Sequence, residues 1–78
     1  MIEIYGKENC PFCDRAKELC EQSGYEYNYN QLDVDFNRDE LLELFPDART
    51  FPQISVDGEH VGGFQEFDKW HNTDWNEK

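Results

Sequence analysis

This sequence predicts a single α/β domain of order β-α-β-α-β-β-α, a four-stranded mixed sheet flanked by three helices. Three observations predict it. Near the start, a helix-period stripe separates two β-favouring runs, and crossovers of this kind join parallel strands with right-handed topology. Near the end, Asp57-Gly58 separates two short strand-like runs, a strong two-residue hairpin signal. The 78 residues, with two Trp, four Tyr and six Phe, suffice for one core. A chain of this size buries only about 60% of its unfolded surface, so stability is thin.

Met1 to Tyr5 alternates, with Ile2 and Ile4 on one face, and reads as the first strand. After a loop over 6–9, Pro11 suits a first helical position, where its missing N–H costs nothing. Phe12, Ala16, Leu19, Cys20 and Ser23 then fall on one stripe, and Gly24 is the stop. Tyr25 to Val34 is rich in β-favouring residues and forms the second strand. Asn37 caps a second helix with Glu40 at its third position, close to a capping box. Leu41, Leu44 and Phe45 form its core face, and Pro46 ends it. Gln53 to Val56 and Glu59 to Val61 are the hairpin strands. Gly62-Gly63 breaks the second of these. Phe64, Phe67 and Trp70 mark the inner face of a last helix. The segment 72–78, polar apart from Trp75, is expected to fray. Residues 1–78 are thus read as one domain, with no repeat or linker.

The formal net charge is −11, from 7 basic and 18 acidic residues. Such a chain is a poor partner for nucleic acid or an anionic membrane, because counterion release needs Lys and Arg. Lys7, Arg15 and Lys17 against Glu8 and Asp14 make residues 7–17 locally positive. An anionic thiol ligand would meet general repulsion and local attraction. No apolar run approaches the ~18 residues of a membrane span. A strand rather than a basic, then apolar, segment stands first, so no secretory signal is expected.

Three cysteines are an odd number for a secreted disulfide framework. Cys10-Pro11-Phe12-Cys13, one C-x-x-C at a strand-to-helix junction, reads as a redox pair in a reducing compartment. Cys10 falls at the helix N-cap, where unpaired N–H groups and the helix dipole favour a thiolate. Lys7 adds a cation. Cys13, one turn further in and more buried, suits a resolving role, with Cys10 exposed and attacking. A zinc site needs four Cys or His ligands, often as two close pairs. Only one pair is present, with Cys20, His60 and His71 dispersed, so no metal is expected. Cys20 reads as a small core residue, and His60 and His71 as surface residues.

Taken together these segments resemble a dithiol glutaredoxin over nearly the whole chain. The resemblance rests on Lys7-x-x-Cys10-Pro11-Phe12-Cys13, then Thr50-Phe51-Pro52-Gln53-Ile54, then His60-Val61-Gly62-Gly63-Phe64-x-x-Phe67, in order and spacing. It implies a thioredoxin-like fold with Pro52 cis. It also implies reduction of protein disulfides and glutathione mixed disulfides, with Cys10 as nucleophile and Cys13 resolving. Glutathione would be the reductant and co-substrate, with no tightly bound cofactor. Its site would be built from Lys7, Phe12, Thr50, Phe51, Pro52, Gly63, Phe64, Gln65 and Glu66. In that family the residue before the cis-proline, here Phe51, pairs its backbone with the glutathione cysteine. Lys7 would meet the glycine carboxylate, and Gln65 and Glu66 the γ-glutamyl end.

Three positions depart from the family pattern. Phe12 replaces tyrosine, Phe51 replaces valine at the groove wall, and Glu66 replaces an aspartate with a longer arm. The compact length is similar to bacterial and bacteriophage members, which often supply electrons to ribonucleotide reductase. A cytoplasmic monomer acting on disulfide-bearing proteins is therefore expected. Two alternatives keep the fold. A redoxin fed by thioredoxin reductase would lack Lys7, Pro11 and the Gly-Gly pair. An iron–sulfur carrier, two chains sharing a cluster through Cys10 and two glutathiones, would carry glycine and serine at positions 11 and 13.

Overall fold

The computed structural model describes the backbone of residues 1–76 and the side chains of residues 1–72. Seven elements follow in order: β1 (Ile2–Gly6), α1 (Pro11–Ser23), β2 (Tyr27–Gln31), α2 (Arg38–Leu44), β3 (Gln53–Val56), β4 (Glu59–Gly62) and α3 (Phe64–Asn76). The strands form one sheet in the order β2-β1-β3-β4. β1 and β2 are parallel, with Ile4 beside Tyr29. β1 and β3 are antiparallel, with Ile4 beside Ile54, and β3 pairs antiparallel with β4. This is the thioredoxin-like topology expected. At the hairpin Asp57 and Gly58 both take positive φ, 51° and 86°, as a type I′ turn requires.

The alternation along β1 divides the molecule. Ile2 and Ile4 face a core completed by Ala16 and Cys20 of α1, Ile54 of β3 and Phe67 of α3. Tyr5 faces the other way, where Phe36, Leu41 and Phe45 form a second cluster with Leu32, Ala48 and Phe51. The Tyr5 ring meets Phe36 and Phe45 edge-on at 5.3 and 5.5 Å, a favoured aromatic geometry. The sheet is therefore covered on both faces.

Several details differ from the periodicity reading. The buried stripe of α1 is Cys13, Ala16 and Cys20, with Leu19 partly buried, whereas Phe12 is half exposed. Phe12 leaves the stripe to stack on Phe64, ring centroids 6.0 Å apart. The second strand starts late and stops early. Tyr25 N–H closes α1 by donating to the Cys20 carbonyl at 2.9 Å, with Gly24 left-handed at φ 75°. Beyond Gln31 the chain turns tightly, with Asp33 at φ 65° and the Asp35 carboxylate accepting from Gln31 N at 2.8 Å. Val34 is thrown out to solvent, 73% exposed. In α2 the capping box is complete between Asn37 and Glu40. Leu44, expected inside, is exposed. Helical geometry ends at Leu44, and Phe45, at φ −133° and ψ 83°, turns inward in its place. The backbone of α3 runs to Asn76. The Trp75 side chain and residues 77–78 lie outside the described residues.

Candidate active site

Cys10 takes extended backbone, φ −123° and ψ 98°, at the N-cap of α1, with Pro11 following at the first helical position. Cys10 and Cys13 form a disulfide, with Cα atoms 5.2 Å apart. The Cys13 N–H donates to Cys10 Sγ at 3.2 Å, so the sulfur accepts from an otherwise orphan helix N–H. Cys13 is fully buried. Cys10, expected to be exposed, is only 8% exposed. A sulfur tucked against its own helix end and bonded to a buried neighbour leaves little surface, so one narrow side remains open to attack.

Beside the pair lies a groove of about 410 Å³ lined by Phe12, Thr50, Phe51, Pro52, Gly63, Phe64, Gln65 and Glu66. Three separate segments meet here. Phe12 comes from the start of α1, Thr50 to Pro52 from the loop before β3, and Gly63 to Glu66 from the start of α3. The Phe51–Pro52 bond is cis. Of the residues the sequence assigned to a glutathione site, only Lys7 is not part of this lining. Its Nζ lies 5.7 Å from the centroid of the Phe51 ring, over the groove wall.

Glu66 is used by its own helix. Its Oε1 accepts from Gly63 N–H at 2.9 Å, half of a capping box at the start of α3. Gly62 stands at φ 130°, and a Cβ there would fall 2.9 Å from the Glu66 Cβ and Cγ atoms. Glycine is thus required at 62 both by backbone conformation and by the curled Glu66 arm.

The loop before β3 is held by a chain of bonds that pattern reading missed. Gln53, 5% exposed, donates through Nε2 to the Thr50 carbonyl at 2.7 Å. Its Oε1 pairs with His60 Nε2 at 2.7 Å, so the imidazole donates. The His60 ring in turn stacks on Phe45, centroids 4.1 Å apart. His60 is a surface residue, as expected, and through these contacts it also braces the groove from behind. The signal was its place seven residues after Gln53 across a hairpin. His71 is half-buried and shares a 2.7 Å hydrogen bond with the Tyr25 hydroxyl.

Several cations stand around the groove, whose own lining carries the Glu66 carboxylate. Arg15 lies 5.7 Å from the centroid of the Phe12 ring, and Arg38 and Arg49 line a small cavity that shares Thr50 and Phe51 with the groove. Cys20, on the inner face of α1, is not part of this site. Burial, with the Glu21 charge in second place, pushes its thiol up to about 11. Among the described residues no group of three or more His, Cys, Asp or Glu side chains is placed to hold a metal.

A model of the family described as Glutaredoxin matches residues 2–61. The chain belongs to the glutaredoxin family. Glutaredoxin 3 of Escherichia coli (strain K12) is 40% identical over 65 residues, covering 80% of this chain and 75% of that protein. Glutaredoxin 1 of Salmonella typhimurium (strain LT2) is 35% identical, covering 94% of this chain and 92% of its own. Among solved structures, reduced Escherichia coli glutaredoxin superimposes with a TM-score of 0.82 at 29% identity over 96% of each chain. The buckwheat glutaredoxin–glutathione complex gives a TM-score of 0.79 at 29% identity, over 92% of this chain and 68% of that one. With its paired cysteines at a helix start, this glutaredoxin is a thiol–disulfide oxidoreductase. No helix among the described residues is long and apolar enough to cross a membrane.

Proposed function

We propose that this glutaredoxin spends glutathione to reduce protein disulfides and glutathione mixed disulfides in a reducing compartment, with Cys10 as nucleophile and Cys13 as resolving thiol. The observation that carries the reading is the groove, whose walls begin at Phe12, between the two cysteines, and end at Glu66. A tripeptide with two carboxylates and one ammonium suits such a site. Its extended backbone fits along Phe51-Pro52, and the cations at Lys7, Arg15, Arg38 and Arg49 favour its carboxylates. The buckwheat relative was solved with glutathione, which supports the same ligand class here.

Reduction starts from the Cys10 thiolate, stabilised by the N–H groups and dipole at the start of α1. It attacks one sulfur of the substrate disulfide. That bond breaks, and the departing sulfur takes up a proton. With a glutathione mixed disulfide, the Cys10–glutathione adduct is then attacked by a second glutathione, releasing oxidised glutathione. With a protein disulfide, Cys13 attacks Cys10 instead and frees the protein thiol. The product is the Cys10–Cys13 disulfide found in the structure. Two glutathiones return it to the dithiol.

The test is a glutathione-coupled assay on wild type, Cys10→Ser and Cys13→Ser. Cys10→Ser should lose all turnover. Cys13→Ser should keep deglutathionylation and lose reduction of protein disulfides. Full activity without Cys10, or dependence on a flavoprotein reductase rather than glutathione, overturns the assignment.

A further inference from the structure

Behind the cysteine pair, β1 ends at Gly6, and two side chains converge on its bare Cα. A Cβ built there would overlap the Tyr29 hydroxyl, fall 2.8 Å from Tyr29 Cζ and 3.0 Å from Cys13 Sγ. The phenol and the sulfur therefore both border the space that one methyl group would fill. Tyr29 reaches this point from β2, beside Ile4 in the sheet. Its ring is covered by Lys17, whose Nζ lies 4.3 Å from the centroid. Lys17 is itself 3.6 Å from Asp14. Among the described residues the Tyr29 hydroxyl makes no hydrogen bond, and Cys13 has no exposed surface.

These facts meet a chemical need. A buried thiolate has no water to solvate it, and an unanswered charge in such a place is costly. The helix N-terminus answers Cys10, whose sulfur already accepts from the Cys13 N–H. It does not answer Cys13, one turn inside. A disulfide sulfur is a weak acceptor, so in the oxidised state a donor beside it goes unspent. A thiolate is a strong one. We propose that Tyr29 is a further catalytic residue, its hydroxyl donating a hydrogen bond to the Cys13 thiolate as that sulfur attacks Cys10. The inference rests on the resolving role of Cys13 proposed above. Burial, and secondarily the Asp14 charge, hold the Tyr29 phenol above its ordinary pKa, so it keeps its proton and acts only as a donor. The Lys17 ammonium over the ring draws electron density from the phenol and sharpens that donor.

The step it serves balances as follows. The Cys13 thiol gives its proton to solvent, and its sulfur, held by the Tyr29 O–H, attacks Cys10 Sγ. The Cys10–glutathione or Cys10–protein S–S bond breaks. The departing sulfur carries off the electron pair and takes a proton from solvent. One disulfide is exchanged for another, with no net oxidation. Gly6 is the empty place that lets donor and acceptor meet.

The experiment is Tyr29→Phe, which removes the hydroxyl and keeps the ring. In a chain carrying Cys10→Ser, the Cys13 Cβ shift is followed by carbon NMR against pH. Tyr29→Phe should move that titration upward by about one unit, the scale of one hydrogen bond to a charged group. A ring-fluorinated tyrosine at position 29, a stronger donor, should move it downward. Opposite shifts from two near-isosteric rings are not produced by a packing role. In the chain with both cysteines, glutathione release from the Cys10 adduct should slow about tenfold at neutral pH with Tyr29→Phe. Added to Cys13→Ser, the same substitution should have no further effect on turnover. A Cys13 titration that stays put with both rings overturns the proposal whatever the reductant is. Failure of glutathione turnover with normal titration shifts would instead count against the glutathione reading.

Discussion

Cys10 and Cys20 lie toward opposite ends of one helix, in unlike surroundings. Cys10 caps α1, where a backbone N–H donates to its sulfur. Cys20 sits fully buried among Ile2, Ile4, Ile54 and Phe67, with Glu21 beside it in the chain. Desolvation, and behind it the Glu21 charge, raises its pKa to about 11. Two outcomes follow from that one environment. Thiol reagents should label Cys20 only when the protein unfolds, because the thiolate is the reactive species. Stability should also fall at high pH with a defined sign. Below pH 9 the Cys20 thiol is protonated folded and unfolded alike. Between pH 9 and about 11 the unfolded chain gives up this proton while the folded chain keeps it, so unfolding is favoured, by about 2 kcal/mol at the upper end. Urea titrations of the oxidised protein at pH 8, 9, 10 and 11 should show this decline. Cys20→Ala, compared with wild type over the same range, should be less affected. An identical slope in both would remove Cys20 as its source.

At the level of elements, α2 is the least secure piece. It is a seven-residue helix, Arg38–Leu44, well short of what forms alone in water. Two things hold it. One is Leu41, packed with Phe36 and Phe45 beneath Phe51. The other is the capping box, in which Asn37 Oδ1 accepts from Glu40 N–H at 2.8 Å and Glu40 Oε1 accepts from Asn37 N–H at 2.9 Å. Asn37→Ala should therefore cost about 1 kcal/mol of stability. Amide protons of α2 should exchange faster while those of α1 change little, as measured by hydrogen exchange. Equal loosening of both helices would mean that α2 is not an independent weak point. This helix also shows what was legible from residue order. Its cap could be read, because Asn and Glu three apart state a local bond. Its inner face could not, because Leu44 and Phe45 are equally apolar and only the exit of the chain decides which turns in. The same limit moved Val34 outside and Phe12 off the stripe. Each apolar residue was counted into the nearest element, while a tight turn at Asp33 or a ring partner at Phe64 took it elsewhere. The groove residues were legible only through family resemblance. His60 left only a faint trace, its spacing from Gln53 across the hairpin, and Tyr29 left none, because Cys13 is brought near it by the packing of α1 against the sheet rather than by sequence spacing.

Over the whole molecule the decisive quantity is charge. Eighteen acidic residues face seven basic ones on a 78-residue chain, folded to a radius of gyration of 12.0 Å. Among the described residues only two ion pairs form, Met1 N-terminus with Asp57, which is largely exposed, and Lys17 with Asp14, in which the lysine is partly covered and the aspartate exposed. Such pairs contribute little. The remaining carboxylates repel one another over distances close to the Debye length, about 10 Å at 0.1 M salt and about 30 Å at 0.01 M. At low salt the repulsion therefore acts across the entire fold. Unfolding relieves it by moving the charges apart, so it subtracts from the stability of a domain with one modest core on each sheet face. The cations that could offset it are gathered at the groove instead: Lys7 over Phe51, Arg15 over Phe12, Arg38 and Arg49 beside Thr50. Placed there, they set four cations around a groove whose lining holds one carboxylate, Glu66, and leave the rest of the surface acidic. Sodium chloride should accordingly stabilise this protein, raising the urea midpoint between about 0.01 and 0.5 M salt, the opposite of what a fold held by surface ion pairs would do. Substituting Glu43 and Glu59, both exposed and remote from the groove lining, with Gln should raise the low-salt midpoint and flatten its salt dependence. A midpoint that falls with salt would show that the attractive pairs outweigh the repulsion.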